Sequence, residues 1–170
     1  LFPILAIAVK LSSKGPVFFK QKRSGLNNKG FNCYKFRSMR QNAEADTLQA
    51  TQNDPRITRV GAFLRKTSLD ELPQFINVIK GQMSIVGPRP HMLKHTEEYS
   101  GLVGNFMNRH AIKPGITGLA QIKGYRGEID DFTLLQNRVR LDRFYVNNWT
   151  LFFDIRIVFL TVATMLKDHK

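Results

Sequence analysis

The stretch that decides the fold of this chain is Leu64-Arg65-Lys66-Thr67-Ser68-Leu69-Asp70-Glu71-Leu72-Pro73-Gln74. Thr67 or Ser68 is a good helix N-cap, whereas Pro73 is tolerated only near the start of a helix. The pattern therefore predicts that Asp70 and Glu71 lie in the first turn of a helix. Backbone N–H groups are free there and the helix dipole is positive, which favours the binding of a phosphate group.

The two adjacent carboxylates allow two interpretations. A carboxylate among phosphate-binding cations can act as a nucleophile, and its neighbour can hold a metal ion or a proton. Alternatively, Ser68 and Glu71 form a capping box, and Asp70 only complements the helix dipole. Both interpretations predict the same helix, which continues over apolar positions to Lys80 and ends at Gly81.

Charge is unevenly distributed along the 170 residues, a length that suits one domain. The chain has 26 Lys and Arg against 13 Asp and Glu, so its formal net charge is +13. Between Leu1 and Ala43 there are nine cations and no acid. Such a surface attracts nucleic acid, an anionic membrane or phosphorylated small molecules. Cys33 is the single cysteine, which excludes an intrachain disulfide.

An apolar segment from Leu1 to Val9 is followed by Lys10, and Gly15-Pro16 interrupts the chain soon after. The segment is too short to cross a bilayer, which takes about 20 apolar residues. It predicts a helix that dips into one leaflet, or the end of a longer membrane helix, with an ordinary core helix as the alternative. It lacks the basic n-region and the cleavage site of a signal peptide.

A β-hairpin is predicted next, with strands over residues 17–22 and 31–37 and a turn over 25–30. In the second strand, Lys35 and Arg37 project from the same face because side chains alternate with a period of two. Two cations on one rigid face can grip a phosphate group. The alternative is a solvated strand edge that is protected by charge.

Two further segments have a constrained backbone. In Gly87-Pro88-Arg89-Pro90, the prolines restrict the conformation on both sides of Arg89, which is thereby pre-ordered for a pair of anionic oxygens; the alternative is a surface turn. Lys113-Pro114-Gly115-Ile116-Thr117-Gly118 is a second rigid loop with a cation. Its glycines are expected to let a ligand approach the backbone closely.

The remaining segments predict mostly helix. Residues 41–53 are polar and predict a loop or a short helix, and residues 54–59 predict a turn into a helix near 60–66. A periodic helix is predicted over about 131–145. The apolar run 149–166 contains two charges, which argues against a membrane span and favours a helix in the membrane interface or against the core.

Common nucleotide and metal motifs are missing from the sequence. The chain has no P-loop and no Gly-x-Gly-x-x-Gly motif. His91 and His95 could share a helix face, but without a further Cys or His cluster they are only a weak indication of a metal site. The basic and aromatic composition is not accompanied by an RNA-recognition motif.

Five ordered motifs resemble one protein family. They are Lys35-Phe36-Arg37-Ser38-Met39, Asp54-Pro55-Arg56-Ile57-Thr58, Thr67-Ser68-Leu69-Asp70-Glu71-Leu72-Pro73-Gln74, Gly87-Pro88-Arg89-Pro90 and Lys113-Pro114-Gly115-Ile116-Thr117-Gly118. Together they resemble the bacterial sugar transferases, the monotopic polyprenyl-phosphate phosphoglycosyl transferases. The resemblance covers nearly the whole chain and is greatest to the undecaprenyl-phosphate glucose-phosphotransferases of exopolysaccharide synthesis.

The resemblance implies a two-step exchange. Asp70 would attack the sugar-proximal phosphate of a UDP-sugar, expel UMP and hold the sugar phosphate as an acyl phosphate, which undecaprenyl phosphate would then accept. It also implies a Mg²⁺ ion at Asp70 and Glu71, with Glu71 assisting the nucleophile.

The resemblance further assigns contacts with phosphate and nucleotide. These fall on Lys35, Arg65 and Arg89, and a later acidic residue of the family falls on Asp142. The strand pattern adds Arg37 to this set of binding residues.

The expected fold class is α+β, in the form of a helix-rich monotopic membrane-associated domain with a small β-hairpin and interfacial amphipathic helices. Residues 1–170 are expected to form a single phosphoglycosyl transferase domain, the C-terminal part of a longer membrane protein. In this view residues 1–14 are the end of a membrane-inserted helix. Residues 15–170 are the catalytic portion, on the cytoplasmic face of the bacterial inner membrane.

The expected partners are a UDP-sugar, undecaprenyl phosphate and anionic membrane lipid, with glucose 1-phosphate as the transferred group and no nucleic acid. A homo-oligomer stays open. Two alternatives also stay open: a non-catalytic membrane scaffold for polysaccharide assembly, and a basic nucleic-acid-binding module. The second accounts for the charge but gives no role to Asp70 and Glu71.

Overall fold

The computed structural model describes residues 1–40, 54–127 and 131–167. In these ranges the α-helices are α1 (Phe2–Ser12), α2 (Arg59–Lys66), α3 (Gln74–Ile79), α4 (Leu93–Leu102), α5 (Leu119–Ile122), α6 (Phe132–Asn147) and α7 (Leu151–Lys167). The strands are β1 (Phe18–Ser24), β2 (Gly30–Phe36), β3 (Ser84–Val86) and β4 (Gly115–Thr117). Short 3₁₀ turns cover Leu26–Asn28, Leu69–Glu71 and Phe106–Ala111. This mixture of helices and small sheets confirms the α+β prediction.

The predicted hairpin is present and nearly in the predicted place. β1 and β2 pair in antiparallel fashion, with Phe18 opposite Phe36 and Ser24 opposite Gly30. Asn27 and Asn28 adopt left-handed backbone conformations in the turn (φ 52° and 58°), which asparagine tolerates better than most residues. The turn between the strands therefore follows directly from its residue types.

A second sheet was not predicted. β3 and β4 pair in parallel, with Ser84 opposite Gly115 and Val86 opposite Thr117. Each strand has only three residues, too few for a period of two to be recognised in the sequence. The pairing brings the chain after β3, which contains Arg89, alongside the chain around β4.

One core cluster connects the N-terminal helix to the two elements that precede the decisive stretch. Leu5 and Val9 of α1 pack with Phe36 of β2 and Leu64 of α2, and all four are buried. Because β2 carries Lys35 and α2 leads into the Asp70 turn, this shared core fixes the two segments relative to each other.

Arg37 belongs to this packing and not to a phosphate grip. Its side chain is buried and donates from Nη2 to the backbone carbonyls of Val9 (3.2 Å) and Ser13 (2.6 Å), and from Nη1 to that of Pro16. These carbonyls belong to the last turn of α1 and to the segment that follows it, where helix carbonyls have no partner within the helix. The prediction that Arg37 and Lys35 bind the same phosphate group is wrong. The guanidinium of Arg37 binds backbone carbonyls at the end of α1 and is not available to a ligand.

The opposite face of α1 is apolar and uncovered. Ile4, Ile7 and Leu11 are 68%, 61% and 82% exposed, whereas Leu5 and Val9 are buried. Among the described residues, no helix combines the length and the apolar character that a membrane span requires. α1 has 11 residues, about half of what a span needs.

The two C-terminal helices lie close to their predicted ranges. α7 buries Ile157 against the core, but Phe152 and Phe159 on its outer side are 84% and 72% exposed. The expected core environment therefore applies to one face of this helix, and its opposite face is apolar and uncovered. The prediction for residues 41–53 lies outside the described residues.

Candidate active site

Asp70 and Glu71 lie in a separate 3₁₀ turn and not in the first turn of a longer helix. Ser68, which precedes the turn, has a left-handed backbone (φ 57°), and its hydroxyl makes no capping hydrogen bond to the turn. α3 begins only at Gln74. The predicted N-cap position is therefore confirmed at Ser68, but the capping-box interpretation is wrong, and the regular α-helix begins later than predicted, at Gln74.

Glu71 is held by three cations that come from distant parts of the chain. Lys35 Nζ lies 2.8 Å from Oε1, and Arg89 donates from Nη2 to Oε1 (2.8 Å) and from Nη1 to Oε2 (3.3 Å). Arg126 Nη2 lies 3.3 Å from Oε2. Both carboxylate oxygens of Glu71 are thus occupied by positive groups.

These contacts determine the charge state of the group. Burial opposes ionisation of Glu71, but Arg89 and Lys35 outweigh it and hold its pKa well below the ordinary range. Burial would lower the pKa of Arg89, but its pairing with Glu71 raises it. Glu71 is consequently a permanent anion in this cluster and not a proton donor.

Asp70 is buried, yet it accepts no hydrogen bond and forms no ion pair among the described residues. Burial raises its pKa above the ordinary value, while Lys35 and Arg89 pull it down in part. A carboxylate without hydrogen bonds in a cationic pocket keeps its lone pairs free and is more basic than a solvated one. The two neighbouring acids therefore have different environments: Glu71 is paired with three cations, whereas the carboxylate oxygens of Asp70 have no such partner among the described residues.

The second sheet holds the loop that carries Arg89. Gly87 N donates to Thr117 O (2.9 Å), and Gly115 N donates to Pro88 O (3.0 Å). A Cβ atom on Gly115 would lie 2.1 Å from Gly87 N, so glycine is required for the two backbones to approach. The expectation that these glycines admit a ligand is not met at Gly115, where another part of the same chain fills the space.

Asp142 lies behind this loop and not in the Glu71 cluster. Its Oδ2 accepts from Arg109 Nη2 at 2.6 Å, and both side chains are almost fully buried. The same Nη2 donates to the backbone carbonyl of Arg89 at 2.8 Å. Asp142 therefore acts through Arg109 on the position of Arg89, which differs from the direct contact with substrate expected from the resemblance.

His91 connects this support to the loop that carries Arg126. Its Nδ1 lies 2.9 Å from Arg109 Nη1, and its Nε2 lies 3.4 Å from Arg138 Nη1. Arg138 Nη2 donates to the carbonyl of Gly127 (2.7 Å), next to Arg126. Burial and the adjacent arginines hold the pKa of His91 well below its usual value. His91 is a neutral structural residue between two cations.

The expected metal sites receive limited support. The described residues contain no cluster of three or more His, Cys, Asp or Glu side chains that could hold a metal ion. The structure therefore adds no support for a metal site at His91 and His95. Glu71 is a poor ligand for Mg²⁺ while its oxygens receive three cations. Asp70 fits as a single carboxylate ligand, because Mg²⁺ often takes one carboxylate together with substrate phosphates and water.

Arg65 lies outside the Glu71 cluster. Its Nη1 contacts Met39 Sδ at 3.8 Å, and no hydrogen bond or ion pair among the described residues joins it to Glu71. The structure thus brings Lys35 and Arg89 together with the two acids. It places Arg37, Arg65 and Asp142 elsewhere.

Three arginines of the site were missed by sequence reasoning. Arg126 also donates from Nη1 to Ser68 Oγ (2.8 Å), and Arg109 and Arg138 are buried behind it. The sequence signal for Arg126 is faint: it stands between Gly124 and Gly127 in a short loop after α5. No local pattern distinguishes the other two from surface arginines.

Comparison with known proteins places this geometry in context. The family model described as "Bacterial sugar transferase" matches residues 1–168. A UDP-glucose:undecaprenyl-phosphate glucose-1-phosphate transferase of Escherichia coli (strain K12) is 58% identical over 160 residues, which cover 93% of this chain and 34% of that protein. Proteins with the same name from Klebsiella pneumoniae and Xanthomonas campestris pv. campestris are 53% and 50% identical. Their alignments cover 94% and 98% of this chain, and 34% and 35% of those proteins. The chain thus spans about a third of the length of these relatives.

Proposed function

This chain belongs to the bacterial sugar transferase family, and we propose that it transfers glucose 1-phosphate from UDP-glucose to undecaprenyl phosphate. The observation that carries the proposal is the contrast between Glu71, fixed by three cations, and Asp70, which has no hydrogen-bond partner among the described residues. The names of the relatives support the choice of glucose and of the lipid acceptor. The product would begin the synthesis of an exopolysaccharide or capsule.

In the first step, an oxygen of Asp70 attacks the phosphorus next to the sugar. A new bond forms between this oxygen and phosphorus, the bond from phosphorus to the bridging oxygen breaks, and UMP leaves with that oxygen. Lys35, Arg89 and Arg126 contact the neighbouring Glu71 and are close enough to Asp70 to affect its charge, so they would reduce the repulsion between a carboxylate and a diphosphate. The sugar phosphate remains on Asp70 as an acyl phosphate.

In the second step, an oxygen of undecaprenyl phosphate attacks the same phosphorus. The bond to Asp70 breaks, the carboxylate is restored and the lipid diphosphate sugar is released. Both steps place an anion against an anion, so both depend on the same cationic cluster. The support of Arg89 by Arg109 and Asp142 keeps the cluster in one geometry throughout.

A Mg²⁺ ion is also part of the proposal. Asp70 and the diphosphate of the substrate would hold it, and it would supply further neutralisation of phosphate charge. Removal of divalent ions with a chelator should therefore abolish UMP release, and addition of Mg²⁺ should restore it. Full activity in excess chelator would remove the metal from the proposal.

The experiment that tests the covalent step is a half-reaction. UDP-glucose labelled in the phosphate next to the sugar is incubated with the protein while lipid is withheld. Label should remain on the protein, should be released by hydroxylamine as expected for an acyl phosphate, and should move to undecaprenyl phosphate when that is added. If label moves only when both substrates are present and never stays on the protein, direct transfer replaces the covalent route.

The proposed location is the bacterial inner membrane, with the site on its cytoplasmic face. The uncovered apolar face of α1 at Ile4, Ile7 and Leu11 supports membrane contact, and the basic N-terminal region supports attraction to anionic lipid. The protein should float with anionic liposomes even in moderate salt. Solubility without detergent, together with RNA binding that falls steeply with salt, would instead favour a nucleic-acid-binding module.

A further inference from the structure

The loop that carries Arg89 is held at four successive backbone carbonyls, those of residues 88–91. The first accepts from the backbone of β4 at 3.0 Å, and the second accepts from Arg109 at 2.8 Å. The third, of Pro90, accepts from Arg23 Nη1 at 2.9 Å, and the fourth accepts from the backbone N–H of Ser24 at 3.0 Å. Because proline has no N–H group, the carbonyl of Pro90 is the only backbone group through which that residue can be held, and Arg23 occupies it.

The side chain of Arg23 is itself oriented by its neighbours. Its Nη2 donates to Oε1 of the buried Gln21, which lies on the same face of β1 because side chains alternate along a strand. Gln21 Nε2 in turn contacts Met92 Sδ at 3.0 Å, and Arg23 and Met92 form an antiparallel β-bridge. The end of β1 therefore lies against the chain that follows the Arg89 loop, and the guanidinium of Arg23 is directed at the carbonyl of Pro90.

Stability alone does not account for a cation at this position. Arg23 forms no ion pair among the described residues, and its Nε is buried without a hydrogen-bond partner there. Burial lowers its pKa to about 10, while Glu71 raises that pKa and Arg89 lowers it to smaller extents. Arg23 is thus charged at neutral pH and close to the Glu71 cluster, although it contacts neither residue. An apolar side chain would be buried here at less cost, so the contribution of Arg23 lies in the carbonyl that it binds.

We propose that Arg23 is a positioning residue for the transfer reaction, which fixes the carbonyl of Pro90 so that Arg89 stays directed at Glu71 and at the diphosphate of the donor. The inference rests on the proposed function, because Arg89 is the group whose position it sets. Proline restricts φ at residue 90, and Arg109 and Arg23 bind the carbonyls of the two peptide units that flank it. The backbone that follows Arg89 is therefore left with a single arrangement.

The test combines a substitution of Arg23 with one of Arg89. Arg23→Met removes the donors and the charge with little change in length, and Lys22→Met is the matched control at the adjacent, exposed position of β1. Each is made in the wild type and in the Arg89→Lys variant. Initial rates of UMP release from UDP-glucose are measured in detergent with undecaprenyl phosphate present. Arg23→Gln, which shortens the side chain but keeps it polar, provides the same comparison if the methionine variant does not fold.

We expect Arg23→Met to lower kcat/KM about tenfold in the wild type, because a small displacement of a group that binds the substrate is costly. In the Arg89→Lys variant the same change should cost less than about twofold, since the guanidinium that Arg23 positions is already absent. Lys22→Met should be nearly silent in both. If Arg23→Met lowers kcat/KM by the same factor in both proteins, Arg23 does not act through Arg89 and the inference is overturned.

A measurement of side-chain motion separates the positioning role from the proposed function. In protein labelled with ¹⁵N-arginine, the Nε–H resonance of Arg89 is identified by its absence from the Arg89→Lys variant, and its heteronuclear NOE reports motion on the picosecond to nanosecond timescale. The NOE should be lower in Arg23→Met than in Lys22→Met. If UDP-glucose gives no UMP in any of these proteins but the NOE differs in this way, the proposed function fails and the positioning role stands. Equal NOE values would reject the positioning role whatever the activity.

Discussion

The backbone carbonyl of Arg89 accepts a hydrogen bond from Arg109 at 2.8 Å. The residue whose side chain binds Glu71 is therefore itself positioned by a second arginine. Arg109 is in turn paired with Asp142 at 2.6 Å and contacts Nδ1 of His91 at 2.9 Å. A guanidinium with all these contacts has one available orientation. The position of the Arg89 loop is therefore fixed by buried residues that lie outside the Glu71 cluster.

Asp142→Asn should weaken this support. Burial raises the pKa of Asp142 as it does that of Asp70, but Asp142 is hydrogen-bonded to the buried Arg109. Loss of its charge leaves that guanidinium buried without its counter-ion, which should lower the free energy of unfolding by about 3 kcal/mol. Urea unfolding measures the effect. Asp131→Asn is the matched control, because asparagine also caps helices well and Asp131 serves as the N-cap of α6. If the two substitutions change the free energy of unfolding equally, the buried ion pair of Asp142 and Arg109 does not stabilise the fold more than a helix N-cap does.

Asp70→Asn should abolish UMP release and leave the fold intact. Because burial raises the pKa of Asp70, its ionised form is disfavoured in the folded protein, so a neutral asparagine should not lower the free energy of unfolding. UMP release and urea unfolding are measured on the same sample. UMP release close to that of the wild type would exclude Asp70 as the nucleophile.

Glu71→Gln should have the opposite effect on stability. The pKa of Glu71 lies well below its ordinary value, so its charge stabilises the fold above the pKa of about 4.3 in the unfolded chain, and this stabilisation is lost as the pH falls through the lower folded value. Removing the charge should lower the free energy of unfolding by about 3 kcal/mol at neutral pH. Both half-reactions should also be slower.

Glu98→Gln, an exposed change on α4, provides the comparison for Glu71→Gln and should change the free energy of unfolding by less than about 0.5 kcal/mol. If Glu71→Gln and Glu98→Gln have the same free energy of unfolding, the ion pairs of Glu71 with its three cations make no net contribution to stability.

Arg89→Lys should lose most of the activity. An ammonium group cannot reproduce the two contacts of the guanidinium with Glu71 at 2.8 and 3.3 Å. We expect a loss of at least about tenfold in kcat/KM, which corresponds to about 1.4 kcal/mol. Arg59→Lys, at an exposed position in α2, should be nearly silent. Activity of Arg89→Lys within about twofold of the wild type would make Arg89 a structural residue.

Stability should fall in mild acid because of His91. Its pKa in the folded protein lies well below the value of about 6.5 in the unfolded chain, so the unfolded state binds the proton more readily and the fold loses stability as the pH falls below about 6.5. The groups that face His91 and disfavour its protonation are Arg109, Arg138, Arg23 and His95.

His91→Asn tests this assignment of the acid sensitivity. The free energy of unfolding of the variant should depend less steeply on pH than that of the wild type between about pH 6.5 and 5. His110, whose pKa burial lowers to about 4, still contributes to the remaining slope. Identical slopes for the two proteins would assign the effect to other groups.

Much of the fold was predictable where a local pattern is long enough. The hairpin, α2, α6 and α7 follow from residue periodicity and from the residues that end each element. The adjacency of Asp70 and Glu71 is a property of the sequence, as is the restraint on Arg89 by its two prolines. The separate turn at Asp70 was not predictable, because it follows a left-handed backbone at Ser68, and serine is not a residue type that prefers this conformation.

The sequence by itself determined which side chains could take part in the chemistry, and the tertiary structure decided which of them meet. Lys35 and Arg37 share a strand and a charge, yet the first contacts Glu71 and the second caps α1. Arg126 reaches Glu71 from 55 positions along the chain. The periodicity of a strand or helix indicates the face on which a side chain lies. It does not indicate which residue of another segment that side chain will contact. The roles of Asp70 and Glu71 therefore depend on long-range packing, because burial and the surrounding charges, and not the identity of a carboxylate, set its basicity and its free lone pairs.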